Sequence, residues 1–325
     1  MTFQPRAVIV TGGAGFVGLN LIETLLDAGI RVISFDARHP PLRAQAELDA
    51  RPGFLGWCVG DVREASALRA AMAESEADAM IHAAAITAGP SRETSDPDLI
   101  VSVNLGGTVA AMTAAKAMKL RRVVLLSTAA VYGDTALQLD FLGEHHAKCP
   151  RTLYAVTKSA AEDVALRLAE LNGLSVSSAR LGWLFGRWEH ETGVRDTLSQ
   201  IYEATQAAKA GQPIHAVEDE PRDWTPAPAV AAAVVRLLTS ERPNHQIYNV
   251  VSGRRSHLSE WTRALVDDFG CALATDAAMP TTGQSPGLLC GERFAAEFGP
   301  VTTQTLFQDV KAYLAWLSSE TEGIP

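Results

Sequence analysis

Residues 11–18 read TGGAGFVG, between a five-residue apolar run, AVIVT (7–11), and a stretch with helical spacing over 15–28. Gly12, Gly15 and Gly18 give the spacing GxxGxxG. The first glycine allows a tight turn, the second lets backbone approach a pyrophosphate, and the third permits close helix–strand packing. The helix N-terminus adds N–H groups and a positive dipole end. A glycine motif alone is weak, and a purely structural turn is the competing reading. Its place at the first strand-to-helix turn makes this one strong. Gly29, after LLDA, reads as the signal ending that helix.

The rhythm set by this unit continues. AVIVT (7–11), RVISF (31–35), FLGWCV (54–59), DAMIHAA (78–84), RVVLLS (122–127) and LSVSSAR (174–180) read as strands. Helical stretches over 15–28, 64–74, 97–118 and 154–171 alternate with them. This order implies right-handed crossovers and a parallel sheet covered on both faces. After Arg180 the rhythm changes. PAPAVAAAVVRLLTS (226–240) reads as a helix and HQIYNVVSG (245–253) as a strand and turn that rejoin the sheet. HLSEWTRALVDDFG and TQTLFQDVKAYLAWL are the clearest helices of the tail. The expected fold is α/β, a Rossmann-type doubly wound parallel sheet with a smaller, discontinuous C-terminal substrate domain. Residues 1–182 plus 224–253 would form the dinucleotide-binding domain, and 183–223 plus 254–325 the substrate-binding domain.

Composition narrows the function classes. Hydrophobic residues make up 47% of the 325 and charged residues 20%, which suits a globular enzyme and not a disordered chain. The net charge of −9, with no basic run longer than a pair, argues against a nucleic-acid partner. Cys58, Cys149, Cys271 and Cys290 are scattered without CxxC spacing, so neither zinc nor a disulfide framework is expected and a reducing cytoplasm fits. The first apolar run is too short for a signal peptide, and no run is read as approaching the roughly 18 residues of a membrane span.

At the cofactor end, Asp36 closes the second strand about 20 residues past the glycines, where a carboxylate can accept from an adenosine ribose 2′-OH. It would repel a 2′-phosphate, so NAD is favoured; Arg38 keeps NADP open as the lesser choice. Asp61 and Val62 close the third strand, positioned to take the adenine amino group and cover the ring. Ala83, Ala84 and Ala85 end the fourth and leave room for a dinucleotide. His82 reads as structural, and His145-His146 lacks a third metal ligand.

At the chemical end, Tyr154 and Lys158 fall four apart on one helix and share a face. A free phenol has a pKa near ~10, too high for base work at neutral pH, and a neighbouring ammonium lowers it. Ser127 and Thr128, in LLSTAAVYG at the end of the fifth strand, supply hydroxyls beside that helix.

Together, TGGAGFVG, Asp36, Asp61-Val62, HAAA, Asn104 in VNLGGT, STAAVYG, Tyr154-xxx-Lys158, Arg180 and PRDW resemble the extended short-chain dehydrogenase/reductases, in particular the NAD-dependent epimerase/dehydratase group. The resemblance covers residues 7 to about 253. It implies Tyr154 as general acid/base, Lys158 as the cation that lowers its pKa and binds the nicotinamide ribose, and Thr128 as the group orienting the substrate hydroxyl. It places the cofactor on Gly12, Gly15, Phe16, Val17, Gly18, Asp36, Asp61, Val62, Ala83, Ala84, Ala85, Tyr154 and Lys158, with Asn104 structural and cofactor-adjacent. Thr87, Thr128, Trp183 and Arg222 are the expected substrate contacts. A homodimer pairing helices near 97–118 and 154–171 is also implied.

Departures from the family narrow the reaction. Its dehydratases resemble one another in an Asp-Glu pair just after the catalytic Thr, where this chain has Ala129-Ala130, so dehydration is disfavoured. Its epimerases have an Asn where RLGWLFG has Trp183, a poor substitute for a phosphate-binding amide. Arg222 matches the position that pairs the diphosphate, and it could equally clamp a carboxylate. The favoured reading is an NAD-dependent oxidoreductase acting on a sugar, sugar acid or similar small hydroxylated substrate. A UDP-sugar 4-epimerase with tightly bound NAD is the alternative, and a non-catalytic dinucleotide sensor is a third reading of another class.

Overall fold

Ala7–Thr11 is buried at all five positions, which requires a strand covered on both faces. In the computed structural model, residues 3–214, 221–270, 272 and 286–318 are described. In chain order they form β1 (Ala7–Thr11), α1 (Phe16–Asp27), β2 (Arg31–Asp36), α2 (Leu42–Asp49), β3 (Leu55–Val59), α3 (Ala65–Ser75), β4 (Ala79–His82), α4 (Pro90–Ser95), α5 (Pro97–Val101), α6 (Gly107–Ala117), β5 (Arg122–Thr128), β6 (Phe141–Leu142), α7 (Leu153–Asn172), β7 (Val176–Leu181), β8 (Trp183–Phe185), α8 (Gln200–Lys209), β9 (Trp224–Pro226), α9 (Ala227–Leu238), β10 (Ile247–Val250), α10 (Leu258–Phe269), β11 (Leu288–Leu289), α11 (Glu292–Phe298) and α12 (Leu306–Ser318).

Seven strands pair in parallel in the order β10-β7-β5-β4-β1-β2-β3. The order reverses between β1 and β4, and a crevice opens there beyond the C-terminal strand ends. One face of the sheet is covered by α1 and α9 through Leu19, Leu25, Val230 and Val234. The other is covered by α3, α6 and α7 through Leu68, Met72, Ala111, Ala115 and Ala165. Alanines on α6 and α7 let those helices sit close to the strands. A separate core of Phe185, Ile201, Trp224, Trp261 and Tyr313 joins β8 and β9 to α8, α10 and α12. The doubly wound sheet and the rejoining strand β10 match the expected fold. The expected domain ranges include residues 1–2, 215–220, 271, 273–285 and 319–325, and Cys271 with them, which lie outside the described residues.

The structure adds elements that periodicity hid. α2, α4, α8 and the β6–β11 ribbon were not expected from sequence. α2 starts behind Pro40-Pro41, and β6 and β11 are two residues each, too short to show alternation. The helix expected over 97–118 is broken into α5, a π-helical turn at Ser102–Gly106, and α6. That turn carries buried Asn104. One further expectation needs correcting. Pro97–Ala117 is long and apolar enough to span a membrane by length and composition, with a mean hydropathy of 1.3. Half of that window is buried, against α3 and α7. The sequence reading missed it because polar Asn104 and two glycines interrupt the apolar run.

Candidate active site

The glycine turn builds the first wall. Gly12 has φ +70°, and a Cβ there would lie 2.7 Å from the Ala84 backbone. A Cβ on Gly18 would run into the Gly12 carbonyl. Both are therefore required by the fold. Gly15 differs: its φ is −82°, and a Cβ would meet only the Gly12 carbonyl, at 3.3 Å. The space in front of it belongs to the cavity. Behind it start the first-turn amides of α1, which have no carbonyl partner within the helix. This is a cradle that a side chain would fill, and it fits the pyrophosphate of a dinucleotide.

Asp36 sits at the mouth of the crevice, as its strand-end position requires. Its carboxylate accepts from the Ala14 amide at 3.1 Å and the Arg38 amide at 3.2 Å. Burial raises its pKa above the ordinary carboxylate value, and those amides pull the other way. Asp61 lies two residues past the end of β3, not in the strand as expected, and is paired through both oxygens with Arg63, which lowers its pKa. His82 is buried between two hydroxyls, Thr11 Oγ1 at 2.8 Å and Thr108 Oγ1 at 3.0 Å. Burial lowers its pKa to about 3, with Lys158 adding to the effect, so it stays neutral and structural.

The chemical end gathers on α7. Thr152 caps that helix, its hydroxyl accepting from the Ala155 amide at 3.1 Å. Tyr154 and Lys158 then face one cavity, with Thr128 at the end of β5 opposite them. The Tyr154 hydroxyl hydrogen-bonds with the hydroxyls of Thr128 and Thr87. Burial raises the Tyr154 pKa, while those two bonds and the Arg195 guanidinium act against it. Lys158 is buried, which pulls its pKa down to about 8; Glu162, one turn further on, pushes it up. Glu162 is held bidentately by Arg180, whose other arm donates to the Tyr132 hydroxyl at 2.8 Å.

One cavity of about 1050 Å³ is lined by Gly12, Gly15, Phe16, Val17, Gly18, Asp36, Asp61, Val62, Ala83, Ala84, Ala85, Thr87, Thr128, Tyr154, Lys158, Trp183 and Arg222, the residues expected there. Its size is at the upper end for small-molecule sites. Asn104 is the exception. Its amide is used in full behind the wall: Oδ1 accepts from Ile86 N at 2.7 Å, and Nδ2 donates to Ile86 O and Thr157 Oγ1, both at 3.0 Å. It ties the β4 loop to α7 and lies next to the cofactor space without lining it. Trp183 lines the cavity, and its neighbours Trp188 and Trp224 do not. Trp224 is packed 5.8 Å behind Trp183 and Trp188 is buried against Glu23. Arg222 lies over the Trp183 ring, 4.0 Å from its centroid.

Sequence reasoning missed the segment that roofs the cavity. Residues 190–199 cross from the substrate side to the β4 loop. Thr87 N donates to Val194 O at 2.8 Å, and Asp196 N donates to Thr87 O at 3.0 Å. Arg92 grips the Asp196 carboxylate bidentately and donates to Gly193 O at 2.8 Å. Arg195 in this strap pairs with buried Glu189 at 2.9 Å. Only the charged residues of TGVRDT hint at this. Their partners are far away in sequence, and no local spacing reveals them.

A glycine cradle at a sheet switch point, with a Tyr–Lys–Thr cluster facing it, defines a nucleotide-cofactor oxidoreductase of the Rossmann type. A model of the NAD dependent epimerase/dehydratase family matches residues 8–251, and the chain belongs to that family of extended short-chain dehydrogenase/reductase enzymes, with NAD as cofactor. It is similar to a probable UDP-glucuronate 4-epimerase of Rhizobium meliloti, 30% identical over 237 residues, which is 70% of this chain and 67% of that one. Among solved structures it is similar to MoeE5 in complex with UDP-glucuronic acid and NAD (TM-score 0.80, 22% identity, 97% of this chain and 99% of that one). It is also similar to the UDP-glucose 4-epimerase of Thermotoga maritima with UDP-glucose (TM-score 0.83, 18% identity, 97% of this chain and 100% of that one). At these identities the structures speak for the fold.

Proposed function

We propose that the protein carries out Tyr154-driven hydride transfer at a secondary alcohol or ketone of a sugar, sugar acid or similar small hydroxylated substrate. The carrying observation is the cluster of Tyr154, Thr128 and Lys158 in the cavity that also holds the glycine cradle. NAD supplies the hydride acceptor at its nicotinamide ring. Tyr154 takes the proton of the substrate hydroxyl as the carbon–hydrogen bond breaks, and returns it in the reverse direction. Thr128 holds the substrate oxygen within reach of Tyr154. Lys158 binds the nicotinamide ribose and favours the phenolate. Asp36 takes the adenosine ribose, and Asp61 with Val62 the adenine. Arg222, stacked on Trp183, anchors an anionic group of the substrate, and Thr87 completes the substrate side. Residues 1–182 with 224–253 serve the cofactor, and the remaining ranges the substrate.

A second reading is favoured by Arg222 and by the curated relative: epimerisation at C4 of a UDP-sugar on retained NAD. Denaturing extensively dialysed protein and identifying released dinucleotide separates them. Near-stoichiometric NAD supports the epimerase, and an empty protein that binds NAD reversibly supports the dehydrogenase. Dehydration is disfavoured because Ala129 and Ala130 line the cavity beside Thr128 and cannot move a proton. The exposed apolar residues Leu99, Val101 and Val109 on α5 and α6, with Val156 on α7, support a homodimer formed through these helices in a cytoplasmic enzyme.

A further inference from the structure

We propose that Arg195 is a further cofactor-binding residue: it donates to the dinucleotide pyrophosphate from the strap, opposite the glycine turn, and so clamps the cofactor between strap and helix. The inference rests on placing the pyrophosphate at the Gly15 cradle.

Four observations carry it. First, the guanidinium stands where the anion must pass. It lies over the ring of Phe16, the first residue of α1, 5.0 Å from the centroid, and its charge acts on the Tyr154 hydroxyl. A dinucleotide running from the helix N-terminus to the catalytic tyrosine has its phosphates between those two points. Second, one end of the guanidinium is in use and the other is not. Nη2 is paired with Glu189 at 2.9 Å, whereas Nη1 is buried without a hydrogen-bond partner among the described residues. An unpaired buried donor is costly, and each one in a native protein requires an explanation. A phosphate oxygen is the partner that a planar, permanently charged donor fits best.

Third, the arginine is held rigidly. Its backbone bridges Thr87 in parallel register, and its amide donates to Thr192 Oγ1 at 3.1 Å. Glu189 is itself fixed, accepting from the Ser199 amide and hydroxyl, both at 2.7 Å. Fourth, the strap is fastened to α4. Arg92 grips Asp196 and the Gly193 carbonyl, and Arg38, two residues past β2, lies in van der Waals reach of Gly193 from the other side. Glu189 neutralises part of the arginine's charge and is too deep to touch the anion. Lys158 serves a different part of the cofactor.

The test is calorimetric binding of NAD, ADP-ribose, adenosine and UDP to the full chain, with Arg195→Gln, Glu189→Gln and the double substitution. Arg195→Gln is expected to weaken NAD and ADP-ribose by the same factor, on the order of 10- to 100-fold, as for loss of a hydrogen bond to a charged group. Adenosine, which lacks phosphate, should be unchanged, and NAD should leave faster in stopped-flow dilution. The double variant removes both charges and leaves no lone buried carboxylate. It should show the same loss, and Glu189→Gln alone should bind NAD within a few-fold of wild type. Wild-type NAD affinity in the double variant overturns the proposal. So does a loss confined to UDP, which would assign Arg195 to a substrate diphosphate. A Gly15→Val variant separates the premise: if it binds NAD normally, the cradle reading fails, whereas loss in Gly15→Val without loss in Arg195→Gln removes only the clamp.

Discussion

Gly15 and Gly12 are three residues apart in one motif, yet the structure assigns them different reasons for being glycine. Gly15→Val places its side chain in the cavity with no positive φ to strain it, and the nearest atom is the Gly12 carbonyl at 3.3 Å. A non-capping residue replacing glycine at a helix N-cap costs about 1 kcal/mol at most, and the lost chain entropy of glycine offsets part of that. Melting should therefore shift by no more than about 3 °C. The same side chain pushes the pyrophosphate off the first-turn amides. Losing two charge-assisted hydrogen bonds at about 1.5 kcal/mol each gives a roughly 100-fold loss of NAD affinity. Gly12→Ala inverts the pattern. Its φ of +70° costs about 1–2 kcal/mol for a residue with a Cβ, and the contact at 2.7 Å with the Ala84 backbone adds overpacking of about 1–3 kcal/mol. Paired calorimetry and thermal melts read both quantities. A Gly15→Val protein that binds NAD within threefold of wild type, or that melts as low as Gly12→Ala, refutes the reasoning.

Tyr154→Phe should lower kcat by about 10²-fold or more while NAD affinity, measured directly, stays within a few-fold of wild type. His82, neutral in the fold down to about pH 3 and protonated in the unfolded chain below its ordinary 6.5, takes up its proton first in the unfolded state. Stability should fall as pH drops from 6.5 towards 3, by up to about 1.4 kcal/mol per pH unit from this residue. Urea titrations of wild type and His82→Gln at pH 6 and 5 check it, and equal slopes would sink the assignment. Lys158, at about 8, loses its charge as pH rises through that value, so ribose binding should weaken on the alkaline side, and in Lys158→Met that limb should vanish from the NAD affinity profile. If the proposed homodimer forms through α5, α6 and α7, Val109→Glu on the exposed face of α6 should yield a monomer by light scattering where wild type is a dimer.

The parts of this site that sequence made legible are those whose chemistry is local. The glycine turn, Asp36 and the Tyr154–Lys158 pair are each fixed by one strand end or one helical turn, so spacing reveals them. Asn104 was placed in the right neighbourhood, but its amide hydrogen-bonds to Ile86 and Thr157, which no spacing could show. The strap was illegible for a related reason. Arg92 and Asp196 are 104 residues apart, and Arg195 gains meaning only when the fold sets it over Phe16. Trp188 and Trp224 read like Trp183 in sequence, and only packing separates wall from core.

β1, which carries the glycine turn, is made before the other six strands of the sheet yet lies in its interior, and β10, among the last elements of the family region, is its outer edge. During synthesis the glycine turn leaves the ribosome long before the strap and Arg222 exist. A nascent chain can thus form the adenosine half of the crevice while its far wall is still untranslated, with β5 and β7 exposed to solvent until their cover arrives. A chain truncated before β10 should be aggregation-prone, because six strands would remain with β7 as an open edge that the last strand normally seals.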